Sequence, residues 1–506
     1  MKTLACLLCA GAAAFAASGV HPVFERPGPP PPATAIDRLL AARWHELGIQ
    51  PANPCSDAVF LRRAWLDVTG SIPSGAEAAA FLKDPDPAKR AALIDRLLAS
   101  DGYAAYYSMK WSDLLRVKAE FPVNLWPNAA QAYYHWIRAA LAANRPYDQF
   151  ARDLLTASGS NFRDPPVNFY RALQSREPQA TATAVALTFM GMRTAPPGMA
   201  GFFSQIGYKE TREWKEEIVF FDPAKKLAPQ PVFPDGSSAR LTPGQDPREA
   251  FAVWLTAPEN PWLARAIVNR VWSWLLGRGI VDPPDDFRPD NPPADPELLT
   301  YLANELTASH YDLKHIFRLI LNSNAYQLSP IAASHDAATF AAYPLRRLDA
   351  EVLADALNTI TGSTDSYTSA IPEPYTFMPD DQRALDLPDG SITNAFLDLF
   401  GRPARDTGLE SERNNRITDA QRLHLLNSTS IQRKIQQSPR LADLMRSVRD
   451  PHEVVNQLYL TILSRYPSED EWKLVQAHSQ SGVRGAAAVY DLAWALINST
   501  EFLCRH

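Results

Sequence analysis

Apolar residues recur at helical spacing through most of this chain, and that periodicity restricts its fold more than any other feature. Ile36, Leu39, Leu40, Trp44 and Leu47 fall on one face, with Gly48 placed to stop the helix. Leu298, Leu299, Leu302 and Leu306 repeat the pattern, as do Leu313, Ile316, Phe317, Ile320 and Leu321, and near the end Val489, Leu492, Ala493, Leu496 and Ile497. A helix with one such stripe is stable only when the stripe packs against another element. Asp86-Pro87 and Asp295-Pro296 supply an N-cap carboxylate and a first-turn proline, so a helix is predicted to begin at each. The chain holds 43 prolines in 506 residues, well above the roughly 5% average, which cuts the pattern into short helices joined by stiff turns. The fold class is therefore mainly α, a multi-helix protein of roughly two to three helical domains with a small β element between them.

Strand signal is confined to one place. Glu217 to Phe221 is apolar and β-prone, and the Asp235-Gly236 turn dipeptide downstream predicts a small hairpin between the two. The surrounding proline-rich stretch, 208–245, reads as a linker between an N-terminal domain (36–207) and a C-terminal domain (246–506). A second irregular stretch, Gly362 to Asp389, reads as a long surface loop.

Three helices end alike, in two apolar residues, a spacer and then Ser-x-x-aromatic: Leu97-Leu98 with Ser100 and Tyr103, Ile320-Leu321 with Ser323 and Tyr326, Leu496-Ile497 with Ser499 and Phe502. The first and last copies also agree upstream, where Leu66, Pro73-Ser74 and Glu77 match Leu460, Pro467-Ser468 and Glu471. The pattern favours a helical module duplicated at the two ends.

Lys2, the apolar run Leu4 to Ala17 and the small residues around Phe15 have the three parts of a secretory leader, assigned to 1–17. Residues 18–35 follow as a polyproline-type spacer. No later apolar run reaches the ~20 residues of a membrane span. The expected localisation is exported, periplasmic or extracellular. A formal net charge of −6 gives no basic footprint for nucleic acid. Beyond the leader, Cys55 and Cys504 are the two cysteines; one disulfide or two buried thiols both fit their number.

Phe60 to Gly70, Ile72-Pro73, Asn161-Phe162-Arg163 and Pro165 to Tyr170 resemble the first domain of a planctomycete-type, cytochrome-associated two-domain family of unknown function. Asp246-Pro247-Arg248, Trp254 to Pro261, Val268 to Trp272, Asp285 to Arg288, Asp312 to Lys314, Phe400 to Pro403, Leu423 to Asn427 and Ile431 to Lys434 resemble its partner domain. Members of that family carry a Cys-x-x-Cys-His segment after a helix ending in Gly and Arg. Here Gly191-Met192-Arg193 runs into Thr194 to Gly198 instead. A second family cysteine cluster is replaced by Thr407 to Ser411, ahead of Glu412-Arg413. Joint loss is expected of thiols that act together, as metal ligands or bridges. The cytochrome domain that many members carry is also missing, so no cofactor and no metal is expected.

Trp262, Trp272 and Trp274 surround Asn269 and Arg270, a set suited to a ligand surface by stacking and hydrogen bonding, although such residues more often pack a core. Asp285, Asp286 and Asp290, with Asp282 and Asp295, form an acidic loop whose spacing fits turn-forming and capping roles better than a calcium loop. His310 and His315 are five apart and do not share a helix face. Arg63 and Asp67 stand at i, i+4, as an exposed pair or as a buried arginine contact. No nucleophile elbow, phosphate loop or zinc-protease motif is present, and whether the protein is an enzyme is left open. The favoured expectation is a binding or scaffold component of extracytoplasmic polymer processing or surface assembly. Its partner would be a polysaccharide or another exported protein. The alternative is a hydrolase acting on complex carbohydrate, with electron transfer third.

Overall fold

The first helices form where the caps place them. In this computed structural model, which describes residues 20–28, 31–331 and 336–506, α1 (Ala35–Leu47) opens on a Thr34–Asp37 capping box and closes on Gly48 at φ 64°. The expected leader, 1–17, lies outside the described residues, as do Pro29 and Pro30 of the spacer. Then come α2 (Asp57–Thr69), α3 (Gly75–Lys83), α4 (Lys89–Ala99), α5 (Asp101–Leu114), α6 (Pro127–Ala142), α7 (Tyr147–Leu155) and α8 (Pro178–Met190). After a short sheet the second half contributes α9 (Pro247–Leu255), α10 (Pro261–Leu276), α11 (Pro296–Ala308), α12 (Leu313–Leu321) and α13 (Ala350–Thr361). Beyond further short helices, α14 (Pro451–Leu463), α15 (Glu469–Gln480) and α16 (Ala486–Ile497) complete it. The fold is mainly α, as the periodicity requires.

Asp295 caps α11 as expected, accepting from the Leu298 N–H at 2.9 Å. Asp86 does not cap α4. Its carboxylate accepts from the Ala88 N–H at 2.8 Å and shapes a turn, and the helix begins at Lys89. The hairpin is also corrected. Strand β3 (Glu217–Phe221) pairs along its length with β2 (Ile206–Glu210), and β1 (Gly159–Ser160) adds to its other edge. The Asp235-Gly236 segment makes only an isolated bridge between Val232 and Ser238. β2 carries the mixed residues Gly207, Lys209 and Glu210, which is why alternation did not mark it.

The segments that share the sequence pattern have matching caps. Gly70 and Ser464 end α2 and α14 at the same left-handed φ of 61°, donating to the Leu66 and Leu460 carbonyls. Ser74–Glu77 and Ser468–Glu471 are both reciprocal capping boxes. Ser100, Ser323 and Ser499 each donate through Oγ to the carbonyl three residues back, at 2.7 Å in every case. Tyr103, Tyr326 and Phe502 are correspondingly buried. The two segments lie against each other: a Cβ on Gly75 of α3 would stand 3.0 Å from Thr461 Oγ1 of α14, so glycine permits that close approach.

One contiguous set of buried apolar side chains runs from Ile36 to Phe502, joining helices from before and after the 208–245 stretch. The chain end is tied in by a two-residue pairing of β4 (Arg346–Arg347) with β5 (Cys504–Arg505). Cys55 and Cys504 are both buried, free thiols. No helix among the described residues is long and apolar enough to cross a membrane.

Candidate functional site

Two features stand out from the packed helices, a buried network of charges and an exposed edge of aromatic rings. The network is built on Asp349, at the start of α13, whose carboxylate is fully buried. It accepts from Tyr106 at 2.8 Å, Lys110 at 3.1 Å, Arg505 at 3.0 Å and Asn415 at 2.6 Å. Burial pushes this carboxyl up, but Lys110, Arg505 and Arg413 overcome that and hold it well below the usual range. Arg413 chelates Glu351 at 2.7 and 3.0 Å and reaches Asp113 at 2.7 Å, and Arg405 reaches Asp113 at 2.9 Å. Helices of the first half (α5) are thus bound to the 405–415 segment of the second through desolvated ion pairs. Such pairs add little net stability, but removing one partner is severe.

Arg63 and Asp67 are both buried and do not form an exposed pair. Arg63 donates to the carbonyls of Tyr326, Leu328 and His506 and lies 3.6 Å from the centroid of the Tyr343 ring. Asp67 accepts from Tyr326 at 3.0 Å and Tyr343 at 2.8 Å and pairs ionically with Arg505 at 2.9 Å.

The residues singled out around α10 do not share one exposed face. Trp262 is half-buried and packs on Trp254, ring centroids 5.3 Å apart. Asn269 is closed off from solvent and brackets Val281, accepting its N–H at 2.8 Å and donating to its carbonyl at 2.9 Å. Trp272 is buried edge-on to Phe340. Arg270, also fully buried, donates to Asp285 at 2.7 Å and to the Thr188 and Leu187 carbonyls. Trp274 donates through its indole N–H to Glu410 at 2.8 Å. Asp285 accepts the Glu410 backbone N–H at 2.8 Å. Asp286 and Asp290 face Arg288, at 2.6 and 3.3 Å, so the acidic loop is neutralised from within. His315 contacts Glu305 at 3.1 Å, and His310 sits at φ 56° before α12. Among the described residues no three His, Cys, Asp or Glu side chains converge on a metal geometry.

The end of α8 and the backbone of Glu410 meet at the Arg270–Asp285 pair. The end of α8 supplies the carbonyls that hold Arg270, Gly191 accepts the Phe287 N–H at 2.9 Å, and Glu410 hangs on Asp285. Burial and the neighbouring Asp285 push the Glu410 carboxyl up to about 7.

The aromatic edge joins three loops far apart in sequence. Trp126 immediately precedes α6, Trp214 lies in the β2–β3 turn, and Tyr375 lies in the irregular 362–389 stretch. Trp126 meets Tyr375 with ring centroids 5.3 Å apart and Trp214 at 6.4 Å, both edge-to-face. Trp214 is 66% exposed and Tyr375 47%, and Phe121 and Phe377 on the same two outer loops are 80% and 68% exposed. Lys215 sets its ammonium 4.9 Å from the Trp126 ring centroid and 5.2 Å from that of Trp214. Asn124, Trp126 and Lys215 all hold positive φ, at 61°, 71° and 62°. For side chains with a Cβ each costs roughly 1–2 kcal/mol, strain that concentrates at binding loops. Asn161 supports the turn by donating to the Lys215 carbonyl at 3.1 Å and accepting from the Glu217 N–H at 2.9 Å. Glu217 is in turn gripped by Arg171 and Arg176.

Residues 35–195 match the family model PSCyt2, described as a protein of unknown function (DUF1549). Residues 247–479 match PSD1, likewise a protein of unknown function (DUF1553). No curated protein and no solved structure matches the chain. With these two domains in this order, the chain has the make-up of the two-domain planctomycete cytochrome-associated family.

Proposed function

We propose that the protein is an exported binding or scaffold component that holds polysaccharide outside the cytoplasm, within polymer processing or surface assembly. The observation that carries this reading is the edge formed by Trp126, Trp214 and Tyr375. Exposed aromatic rings on a monomer are costly unless something covers them, and flat rings suit the apolar face of a sugar. Strain in Asn124, Trp126 and Lys215 is retained in the loops that present those rings, as expected when presentation matters more than stability. Retention of the leaderless protein on a panel of polysaccharides tests the reading, with Trp214→Ala as control. Binding that the substitution abolishes supports it. A protein that no member of the panel retains overturns it. Export is tested separately, by finding the mature product beyond the inner membrane with residues 1–17 removed.

The alternative, a hydrolase acting on complex carbohydrate, draws on Glu410, whose raised carboxyl sits beside Asp285. Release of reducing ends that Glu410→Gln abolishes would favour it.

A further inference from the structure

Building on the polysaccharide reading, we infer that the aromatic edge selects chains bearing anionic groups, such as carboxylated or sulfated sugars. Trp214 stands between two exposed cations, Arg212 and Lys215, and among the described residues neither has a carboxylate within ion-pair distance. Two carboxylates near the edge are engaged in hydrogen bonds. Glu216 accepts from the Ser160 and Thr211 hydroxyls at 2.6 and 2.7 Å, and Glu120 from the Ala370 N–H at 3.0 Å. Glu213 and Glu373 are exposed on the same loops, so the edge as a whole is not strongly cationic. Position decides the selectivity. The Lys215 ammonium is held against both tryptophan rings, where a stacked sugar would place its substituents. The left-handed backbone at Lys215, fixed by Asn161, keeps it there.

The test pairs each neutral polysaccharide with its carboxymethylated derivative in affinity gels run at low and high salt. The intact protein is expected to bind the carboxymethylated member roughly tenfold more tightly, with the advantage fading as salt rises. In the double variant Arg212→Gln/Lys215→Gln the two polymers should bind alike. Trp214→Ala should lose both. Equal binding of both polymers by the intact protein overturns this inference and leaves the polysaccharide reading standing, as does a double variant that keeps the preference. Failure to bind either polymer removes both, and would point to a protein partner for the edge.

Discussion

Arg62 of α2 donates to the Ile462 carbonyl at 2.8 Å, across 400 residues of chain, and to the Phe502 carbonyl at 3.1 Å. It is fully buried, and burial pushes its guanidinium down to about 10. One side chain of α2 thus closes the end of α14 and the last helical turn of the chain. Arg62→Ala leaves two buried carbonyls without donors and opens a cavity, so a loss of about 3 kcal/mol is expected. Urea unfolding should show the midpoint moving with little change in slope. A loss below about 1 kcal/mol would mean that the two ends are not joined through this residue.

Asp349→Asn tests the charge network from its centre. The change keeps the shape but leaves Lys110, Arg505 and Arg413 without their common counter-charge. Breaking a buried network in this way costs about 3–5 kcal/mol, whereas Asp290→Asn, on an exposed pair, should cost less than about 1 kcal/mol. Thermal melts of the two variants side by side give the comparison. Similar melting temperatures would show that the buried charges do not hold the halves together.

The helices and caps were legible because they depend on neighbours in sequence. Asp295, Gly48 and the three serines at 100, 323 and 499 act over three or four residues. The charge network was not legible, since Asp349 collects partners from 106, 110, 413, 415 and 505, and no local pattern links them. The same holds for the aromatic edge. Trp126, Trp214 and Tyr375 look like ordinary scattered aromatics until the turn of a sheet and an irregular loop bring them together. Around α10 the clustering of tryptophans in sequence misled, because a helix sends Trp262, Trp272 and Trp274 to different neighbours.

Glu410 gives the fold a pH dependence of known sign. Its carboxyl is raised from an ordinary 4.5 to about 7 by burial and by Asp285, against the opposing pull of Arg270, Lys110 and the Trp274 N–H. A raised carboxyl contributes stability that is complete below its unfolded value and is lost as pH climbs through about 7. Asp355, raised to about 6, acts in the same direction, and His506, lowered to about 4, acts in the opposite one. The effect is therefore isolated by difference. The melting temperature of Glu410→Gln minus that of the unmodified protein should grow from pH 5 to pH 7. A difference that stays flat would show that Glu410 titrates normally.

Cys55 and Cys504 are expected to behave as two inert thiols. Both are buried, and burial pushes the Cys504 thiol up to about 11, far from the thiolate form needed for reaction. A thiol reagent should label neither in the folded protein and both in denaturant, and a reductant should leave the melting temperature unchanged. Failure to release two thiols on unfolding would indicate a disulfide.

Lys215→Gly should separate stability from binding at the aromatic edge. At φ 62° the lysine carries a strain that glycine does not, and its main structural tie, the Asn161 bond to its carbonyl, is to the backbone and survives the change. A gain of about 1 kcal/mol in folding stability is expected, smaller than the full strain because glycine also loosens the unfolded chain. Trp214→Ala, at a side chain 66% exposed, should change stability by no more than about 0.5 kcal/mol. Retention on polysaccharide should move the other way, with Lys215→Gly weakening binding to the carboxymethylated polymer and Trp214→Ala abolishing binding altogether. Chemical denaturation and affinity gels on the same preparations read both quantities. If Lys215→Gly destabilised the protein, the turn would depend on the lysine for its shape, and the strain could not be ascribed to ligand presentation.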